Sequence, residues 1–249
     1  MTQVKSISLI VPTFKQGKIL LDDIDNLKKS LVKTKLNYEI IVVADGLLKQ
    51  VEKIINHKSS ILNLRVIGYD KNKGKGFAVK YGMLKAKGDV VGFIDAGLDL
   101  DPNGIIAMLK IMEQKNADIV IGSKTHKDSK INYPLFRKIL SSGYRSITHL
   151  LFGFSVRDTQ VGLKIFRKNV SKDIFSKIKT KGFAFDVEVL ALAYRLGYRK
   201  IYEAPIKVNF KHNTINYLNS LKIVFSMLIE TMSIFYRLKF TNSYNKGKS

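Results

Sequence analysis

Short apolar runs alternate with helical patterns through the first half of the chain, and no other feature restricts the fold as strongly. The runs end near Val11, Val43, Ile67, Ile94 and Gly122, and apolar residues at helical spacing separate them. This rhythm is typical of βαβ units, in which parallel strands form a sheet that helices cover on both faces. The sequence therefore predicts an α/β fold with a mostly parallel sheet.

The charge balance favours an anionic partner. The 249 residues include 43 Lys and Arg against 20 Asp and Glu, a formal net charge of +23. Nucleic acid, an anionic membrane and a phosphorylated substrate all suit this charge, although a solvated, lysine-rich surface would also account for it. No nucleic-acid-binding motif occurs, so we expect no nucleic-acid partner. Without cysteine, the chain has neither disulfides nor thiolate metal ligands.

Aspartates stand at the ends of two predicted strands, where ligands of parallel sheets bind. Asp95 follows one strand directly, and Asp99 comes four residues later. Closely spaced carboxylates can hold Mg²⁺ or Mn²⁺ beside a diphosphate, and the metal would offset the charge on a departing nucleoside diphosphate. The alternative is an acidic turn, in which Asp101 caps a helix beginning near Pro102.

Two further turns could contact a nucleotide. Asp45 could accept hydrogen bonds from a nucleobase or a ribose, or could form a tight turn with Gly46. The segment Asn72-Lys-Gly-Lys-Gly76 has closely spaced glycines that would let a diphosphate approach the backbone at a helix N-terminus. A simple glycine-rich turn is the alternative, and Val79 stands where a dinucleotide-binding fingerprint needs a third glycine.

The segment from Ile215 to Leu238 is mostly apolar with a narrow polar stripe. The stripe consists of residues three or four apart: Lys222, Ser226, Glu230, Ser233 and Arg237. Its longest uncharged stretch is far shorter than the ~20 residues that span a bilayer. Such a helix lies in a membrane interface, or packs on its own domain or a partner chain. We expect residues 1–212 to form the α/β domain and residues 213–249 an amphipathic, basic segment at a membrane interface.

Seven motifs, each loose alone, follow one another in a fixed order. They are Val-Pro12-Thr-Phe, Ala-Asp45-Gly, Asn72-Lys-Gly-Lys-Gly76, Ile-Asp95-Ala, Ile-Gly-Ser123-Lys, Arg157-Asp158-Thr-Gln-Val-Gly162-Leu-Lys164 and Phe183-Ala-Phe-Asp186-Val-Glu188. The order resembles the family-two, GT-A-fold glycosyltransferases, within them the dolichol-phosphate mannose synthase and dolichyl-phosphate glucosyltransferase branch. The resemblance covers roughly residues 6–211 and implies a GT-A, Rossmann-like fold.

Together with these patterns, the resemblance implies roles for individual residues. The nucleotide-sugar site would contain Pro12, Thr13, Asp45, Asn72, Gly74, Lys75, Gly76, Asp95 and Ala96. Asp158 and Gln160 would face the sugar or the acceptor and act in catalysis with Asp95, and the metal ligands would be Asp95 and Asp99. Basic residues of the second half could pair with an acceptor phosphate: Lys124, Arg137, Lys138 and Lys164.

The chain departs from the family pattern in three motifs. The family usually has Asp-x-Asp where this chain has Asp95-Ala96-Gly97, so one metal ligand is missing, and we expect Asp99 to compensate. Ala44 stands before the Asp-Gly pair, where Asp, Asn or Ser is usual. Lys15 and Gln16 replace an acidic residue after the Pro-Thr-aromatic motif.

The resemblance implies an inverting, single-displacement transfer of glucose or mannose, from UDP-glucose or GDP-mannose to a polyprenyl (dolichyl-type) phosphate. That phosphate has a second pKa near ~6, so it is largely a dianion at neutral pH and needs little help from a base. The alternatives are a glycan or another lipid as acceptor, and a homologue that binds a nucleotide sugar or a membrane without turnover. We expect a divalent cation, Mg²⁺ or Mn²⁺, and peripheral binding at the cytoplasmic face of a membrane. The pattern leaves the oligomeric state open.

Overall fold

A computed structural model describes residues 3–17, 19–56, 63–97, 99–132, 135–209, 217–241 and 243–244, with the backbone alone at residues 132, 135–138, 209 and 217–220. The strands are β1 (Ser6–Thr13), β2 (Asn37–Asp45), β3 (Leu64–Tyr69), β4 (Val90–Ile94), β5 (Ile119–Ser123), β6 (Lys130–Asn132), β7 (Leu163–Arg167), β8 (Ile201–Pro205) and β9 (Lys207–Asn209). The helices are α1 (Ile19–Lys33), α2 (Leu48–Asn56), α3 (Lys75–Met83), α4 (Gly104–Gln114), α5 (Leu135–Phe152), α6 (Lys168–Lys177), α7 (Phe185–Arg195) and α8 (Tyr217–Phe240).

The main sheet has seven strands in the order β3-β2-β1-β4-β7-β5-β8, and β6 and β9 form a small second sheet. All neighbours in the main sheet are parallel except β7, which runs antiparallel to β4 and β5. The five strands predicted in the first half are all present. This architecture confirms the predicted α/β fold with its mostly parallel sheet.

Two apolar layers cover the sheet because successive side chains of a strand point to opposite faces. Ile10 and Phe93 pack on one face with residues of α3, α6 and α7. Leu9 and Val42 pack on the other face with residues of α1, α2 and α4. The central strands are buried on both sides, which explains why they read as continuous apolar runs rather than as alternating patterns.

The antiparallel direction of β7 determines which loop lies at the carboxyl ends of the parallel strands. Leu163 pairs with Ile94 at the end of β4, and Lys164 pairs with Ile121 near the end of β5. Because β7 runs in the opposite direction, the segment that precedes it, residues 158–162, lies at the edge where β4 and β5 end. The sixth of the seven motifs, Arg157 to Lys164, which leads into β7, therefore meets the aspartates after β4.

Helix α8 packs on the body of the protein through Thr231 and Ile234, which are fully buried. Its exposed side carries an apolar stripe, which consists of Leu221, Phe225, Ile229, Met232, Tyr236 and Phe240. Two members of the predicted polar stripe, Glu230 and Arg237, instead bond to groups of the protein. Among the described helices, none has both the length and the apolar composition that crossing a membrane takes. The boundary after residue 212 stays a prediction, since residues 210–216 lie outside the described part.

Candidate functional site

A cleft of about 290 Å³ lies at the carboxyl ends of β1, β2 and β4. The residues that line it include most of the predicted nucleotide-sugar set, namely Pro12, Thr13, Asp45, Lys75, Asp95 and Ala96, together with Phe14, Gln16, Ala78 and Phe183. We call this space the donor cleft. The topology brings these residues together because neighbouring parallel strands end at the same edge of the sheet.

Asp45 organises the wall of the donor cleft. Its carboxylate is nearly buried and accepts hydrogen bonds from the Asn72 side chain at 3.0 Å, the Lys73 N–H at 2.7 Å and the Gly74 N–H at 3.0 Å. The carboxylate thereby fixes the turn before α3. The hydrogen bond expected from a nucleobase or ribose to Asp45 stays a prediction. That group would be a further donor to a carboxylate that already accepts from three.

The glycines before α3 pack against the segment that precedes α7. A Cβ on Gly74 would come within 2.4 Å of the Lys181 carbonyl oxygen, and one on Gly76 within 2.6 Å of the Phe185 Cβ. The Gly76 N–H donates to the Lys181 carbonyl at 2.8 Å. The N–H groups of Gly74 and Gly76 are already bonded, to Asp45 and to Lys181 respectively, and the predicted approach of a diphosphate to this backbone stays a prediction. What this segment presents to the cleft is the side chain of Lys75.

Lys75 and Asp95 form an ion pair at the floor of the donor cleft. The Lys75 ammonium lies 2.7 Å from Asp95 Oδ2, and the two side chains are 20% and 34% exposed. Burial by itself would lower the pKa of Lys75, but the carboxylates of Asp95 and Asp186 outweigh it and raise the pKa above its ordinary value. Asp95 Oδ1 is buried and accepts no hydrogen bond from the described residues.

Asp99, predicted from the sequence as the second metal ligand, borders the same space as Asp95. Both line a space of about 200 Å³ with Lys124, Gln160 and Gly162. The described residues contain no cluster of three or more His, Asp and Glu arranged to hold a metal ion. Asp95 Oδ1, which is buried without a hydrogen-bond partner among the described residues, and the Asp99 carboxylate in the same space fit a cation that takes its remaining ligands from a diphosphate and water.

Asp23 is a residue of this region that sequence reasoning missed. Its carboxylate accepts a hydrogen bond of 2.8 Å from the Gly97 N–H, which holds the turn after β4. Gly97 has a φ of +125°, a backbone conformation that residues other than glycine rarely adopt. The backbone at 97 thus has a conformation suited to glycine, at the position where the resemblance implied a second aspartate. Asp101 accepts from the Asn103 N–H at 2.9 Å, and α4 begins only at Gly104.

A second cleft, of about 370 Å³, adjoins the first. Its lining is polar and basic and consists of Lys124, Thr125, Ser129, Ile131, Ser141, Ser142, Arg145, Asp158, Thr159 and Gln160. We call this space the basic cleft. Lys124 and Gln160 also line the space around Asp95 and Asp99, so the two regions are contiguous.

Asp158 holds two residues that line the basic cleft, Lys124 and Gln160. It is nearly buried and accepts from the N–H groups of Lys124 at 2.9 Å and Gln160 at 3.2 Å. Its own N–H donates to Glu203 Oε1 at 3.0 Å. The Lys124 ammonium lies 3.9 Å from the Asp158 carboxylate. Asp158 therefore holds Lys124 and Gln160 at the boundary of the two clefts.

The predicted set of phosphate-binding residues changes in the structure. Lys164 is fully buried and donates to the Asp186 carboxylate and to the Val161 carbonyl, so its assignment as a phosphate ligand is wrong: the ammonium is enclosed and already bonded. The side chains of Arg137 and Lys138 lie outside the described residues. Arg145, which sequence reasoning missed, lines the basic cleft with Ser141 and Ser142, from which it is separated by four and three residues on α5.

Comparison with known proteins agrees with this geometry. Residues 8–175 match the family Glycosyl transferase family 2. A dolichyl-phosphate beta-glucosyltransferase of Trichomonas vaginalis is 32% identical over 213 residues, and the alignment covers 82% of this chain and 65% of that protein. The dolichyl-phosphate beta-glucosyltransferase of Drosophila melanogaster is 32% identical over 205 residues, and the alignment covers 76% of this chain and 63% of that protein. The chain thus spans less than two thirds of the length of these relatives.

The fold also matches a solved structure. Glucosyl-3-phosphoglycerate synthase from Mycobacterium tuberculosis, in complex with Mn²⁺, uridine diphosphate and phosphoglyceric acid, aligns with a TM-score of 0.71 at 17% identity. The alignment covers 95% of this chain and 79% of that one. At this identity the likeness concerns the fold, and it confirms the predicted GT-A architecture. With a family match over most of its length and its motifs in the family's order, the chain belongs to glycosyl transferase family 2.

Proposed function

We propose that this protein transfers glucose from UDP-glucose to a polyprenyl phosphate of the dolichyl type, with inversion at the anomeric carbon. The observation that carries the proposal is that the basic cleft is contiguous with the space around Asp95 and Asp99, since Lys124 and Gln160 line both. The names of the related proteins supply the sugar and the acceptor. The solved structure of similar fold, which contains uridine diphosphate, supports the base.

In the donor cleft, Pro12, Thr13 and Asp45 would contact the nucleoside, and Ala96 would border the diphosphate. Asp95 and Asp99 would hold a divalent cation, Mn²⁺ or Mg²⁺, which when bound neutralises charge on the diphosphate. Lys75 is the cation that the chain itself supplies at this place. Its ammonium would move from Asp95 to a phosphate oxygen and stabilise the negative charge that develops there.

In the basic cleft, the acceptor phosphate would lie between Lys124 and Arg145, with the hydroxyl groups of Ser141 and Ser142 as further donors. Cationic and hydroxyl donors around an enclosed space suit a phosphate dianion. A phosphate oxygen would form a bond to the anomeric carbon as the bond from that carbon to the diphosphate breaks, and the electron pair would leave with the diphosphate. Since the dianion carries no proton to remove, positioning is the main contribution, and Asp158 makes it by holding Lys124 and Gln160.

The proposed acceptor lies in a membrane, and α8 has a surface that suits membrane binding. The apolar stripe of α8 is exposed, with Phe225 at 67% and Phe240 at 70%, and Lys222 and Lys239 are exposed on the same helix. Apolar side chains flanked by lysines suit an anionic lipid surface. A net charge of +23 suits the anionic cytoplasmic leaflet, where the protein would bind peripherally.

A transfer assay tests the proposal. Purified protein is incubated with dolichyl phosphate in detergent, Mn²⁺, and radiolabelled UDP-glucose or GDP-mannose, and label is counted in the lipid extract. We expect lipid-linked label from UDP-glucose and its loss when EDTA removes the metal. Label from GDP-mannose alone would overturn the donor assignment. Uridine diphosphate binding without transfer to any lipid phosphate would indicate another acceptor or a homologue without turnover.

A further inference from the structure

A short segment, residues 179–184, connects the donor cleft with α8, and we call it the strap. On the cleft side, Phe183 lines the donor cleft and is 49% exposed. The Lys181 carbonyl accepts the N–H groups of Gly76 at 2.8 Å and Phe77 at 3.3 Å, at the start of α3. The strap therefore fixes the first turn of the helix that begins with Lys75, and it forms one wall of the cleft.

Two charged residues of α8 hold the strap from the other side. Glu230 Oε2 accepts the Ala184 N–H at 3.0 Å, and a Cβ on Gly182 would come within 2.1 Å of Glu230 Oε1. Arg237 donates to the Thr180 hydroxyl at 2.9 Å. Glu230 and Arg237 are two helical turns apart on one face of α8, so they form hydrogen bonds with both ends of the strap.

Arg237 also joins a buried network at the start of the strap. Glu188 is fully buried and accepts the N–H groups of Lys179 at 3.1 Å and Thr180 at 2.7 Å. Arg237 lies 3.4 Å from its other oxygen, to which Tyr244 also donates. Burying a carboxylate is costly unless charged and N–H partners surround it. Here those partners belong to the strap and to α8, so the network fixes the position of one relative to the other.

We propose that Glu230 and Arg237 are positioning residues of the donor site. They act through the strap, which places Phe183 in the wall of the cleft and holds the turn from which Lys75 reaches Asp95. This inference rests on the proposed donor site and goes beyond it, because it assigns a role in nucleotide binding to a helix whose outer side faces away from the cleft. Neither residue contacts the cleft itself.

Isothermal titration of the full chain with uridine diphosphate and Mn²⁺ tests the inference. Glu230→Ala leaves the Ala184 N–H without its acceptor, and hydrogen bonds to charged groups contribute enough for a loss of about tenfold in affinity. Glu230→Gln keeps an acceptor oxygen and is expected to stay within about threefold of the wild type. Ser233→Ala, which removes an exposed hydroxyl bonded to the Ile229 carbonyl on the same helix, is the matched control and is expected to bind normally.

Steady-state kinetics separate positioning from general destabilisation. We expect Glu230→Ala to raise KM for the donor while KM for dolichyl phosphate stays unchanged. Arg237→Leu, which releases Thr180, is a second variant with the same expected pattern should Glu230→Ala fail to fold. Wild-type affinity in a folded variant would overturn the inference, and so would equal losses in Glu230→Ala and Glu230→Gln that follow their melting temperatures. A wild-type protein that binds no nucleotide would instead overturn the proposed function, and this inference with it.

Discussion

Gly162 lies directly beneath the carboxylate of Asp95. The Asp95 N–H donates to the Gly162 carbonyl at 2.8 Å, and a Cβ on Gly162 would come within 1.9 Å of Asp95 Oδ2. Gly162 is the glycine of the motif before β7, and its lack of a side chain makes the space that the carboxylate occupies. The antiparallel insertion of β7 brings the two residues together.

Gly162→Ala is therefore expected to displace the Asp95 carboxylate. Forcing a methyl group into this space costs about 1–3 kcal/mol, and Mn²⁺-dependent binding of uridine diphosphate is expected to fall at least about tenfold. Calorimetry and thermal unfolding measure the two effects. Gly143→Ala is the control, because Gly143 lies within α5 with open space around it, and alanine there is expected to be neutral or slightly stabilising. Normal binding by Gly162→Ala would show that Asp95 does not need its present position.

Lys75→Met is expected to change two affinities in opposite directions. Without the ammonium at 2.7 Å, the Asp95 carboxylate is free of its internal cation, and Mn²⁺ alone is expected to bind about tenfold more tightly. Uridine diphosphate is expected to bind about tenfold more weakly, since a charge-assisted contact to phosphate is lost. Electron paramagnetic resonance of Mn²⁺ and calorimetry with the nucleotide check the two changes. A fall in both affinities would indicate that Lys75 supports the site without competing for Asp95.

Arg145→Gln is expected to weaken the acceptor and spare the donor. KM for dolichyl phosphate is expected to rise about tenfold or more, because hydrogen bonds to charged groups contribute about 1.5–3 kcal/mol. KM for UDP-glucose is expected to stay unchanged. Lys124→Gln is expected to act similarly, with the exposed Lys127→Gln as its control in the same loop. Equal effects on both KM values would place these residues outside a separate acceptor site.

Lys164→Met is expected to destabilise the protein rather than affect phosphate binding alone. The substitution leaves the Asp186 carboxylate buried without its partner, which costs about 3–5 kcal/mol. Chemical denaturation measures the loss, and the double variant Lys164→Met, Asp186→Leu is expected to recover part of it. An acceptor defect at undiminished stability would restore Lys164 as a phosphate ligand.

The double variant Phe225→Ser, Tyr236→Ser is expected to reduce binding to anionic vesicles. Each side chain belongs to the apolar stripe of α8 and is at least 60% exposed. Burying a Phe side chain contributes about 1.5–3 kcal/mol, so cosedimentation is expected to fall at least about tenfold, with folding unchanged. Val32→Ser, which removes an exposed apolar side chain from α1, is the control. Undiminished vesicle binding would indicate that the apolar stripe of α8 contacts another protein rather than a membrane.

The strands, and the grouping of Asp45 and Asp95 at one edge of the sheet, could be predicted from the sequence because both depend on local patterns. Strands such as β4 are buried on both faces and therefore read as unbroken apolar runs. Asp45 and Asp95 end their strands, and the shared edge of a parallel sheet brings them together. Neither inference needs any knowledge of distant contacts.

The remaining features depend on partners that are far away in the chain. Lys164 reads as a surface lysine, and only its contact with Asp186, 22 residues later, explains its burial. The polar stripe of α8 predicts an amphipathic helix, but the spacing does not reveal that Glu230 and Arg237 face inward. That orientation depends on the backbone N–H of Ala184 and the hydroxyl of Thr180, which no local pattern shows.

The order of strands in the sheet also has a consequence for synthesis on the ribosome. Both neighbours of β5 in the described sheet, β7 and β8, come after it in the chain. A nascent chain that ends before Leu163 therefore exposes the unpaired edges of β5 and of one side of β4. Unpaired edges of apolar strands invite association with other chains. The growing polypeptide therefore has exposed strand edges until β7 emerges and joins β4 to β5, and the second edge of β5 is covered only when β8 follows.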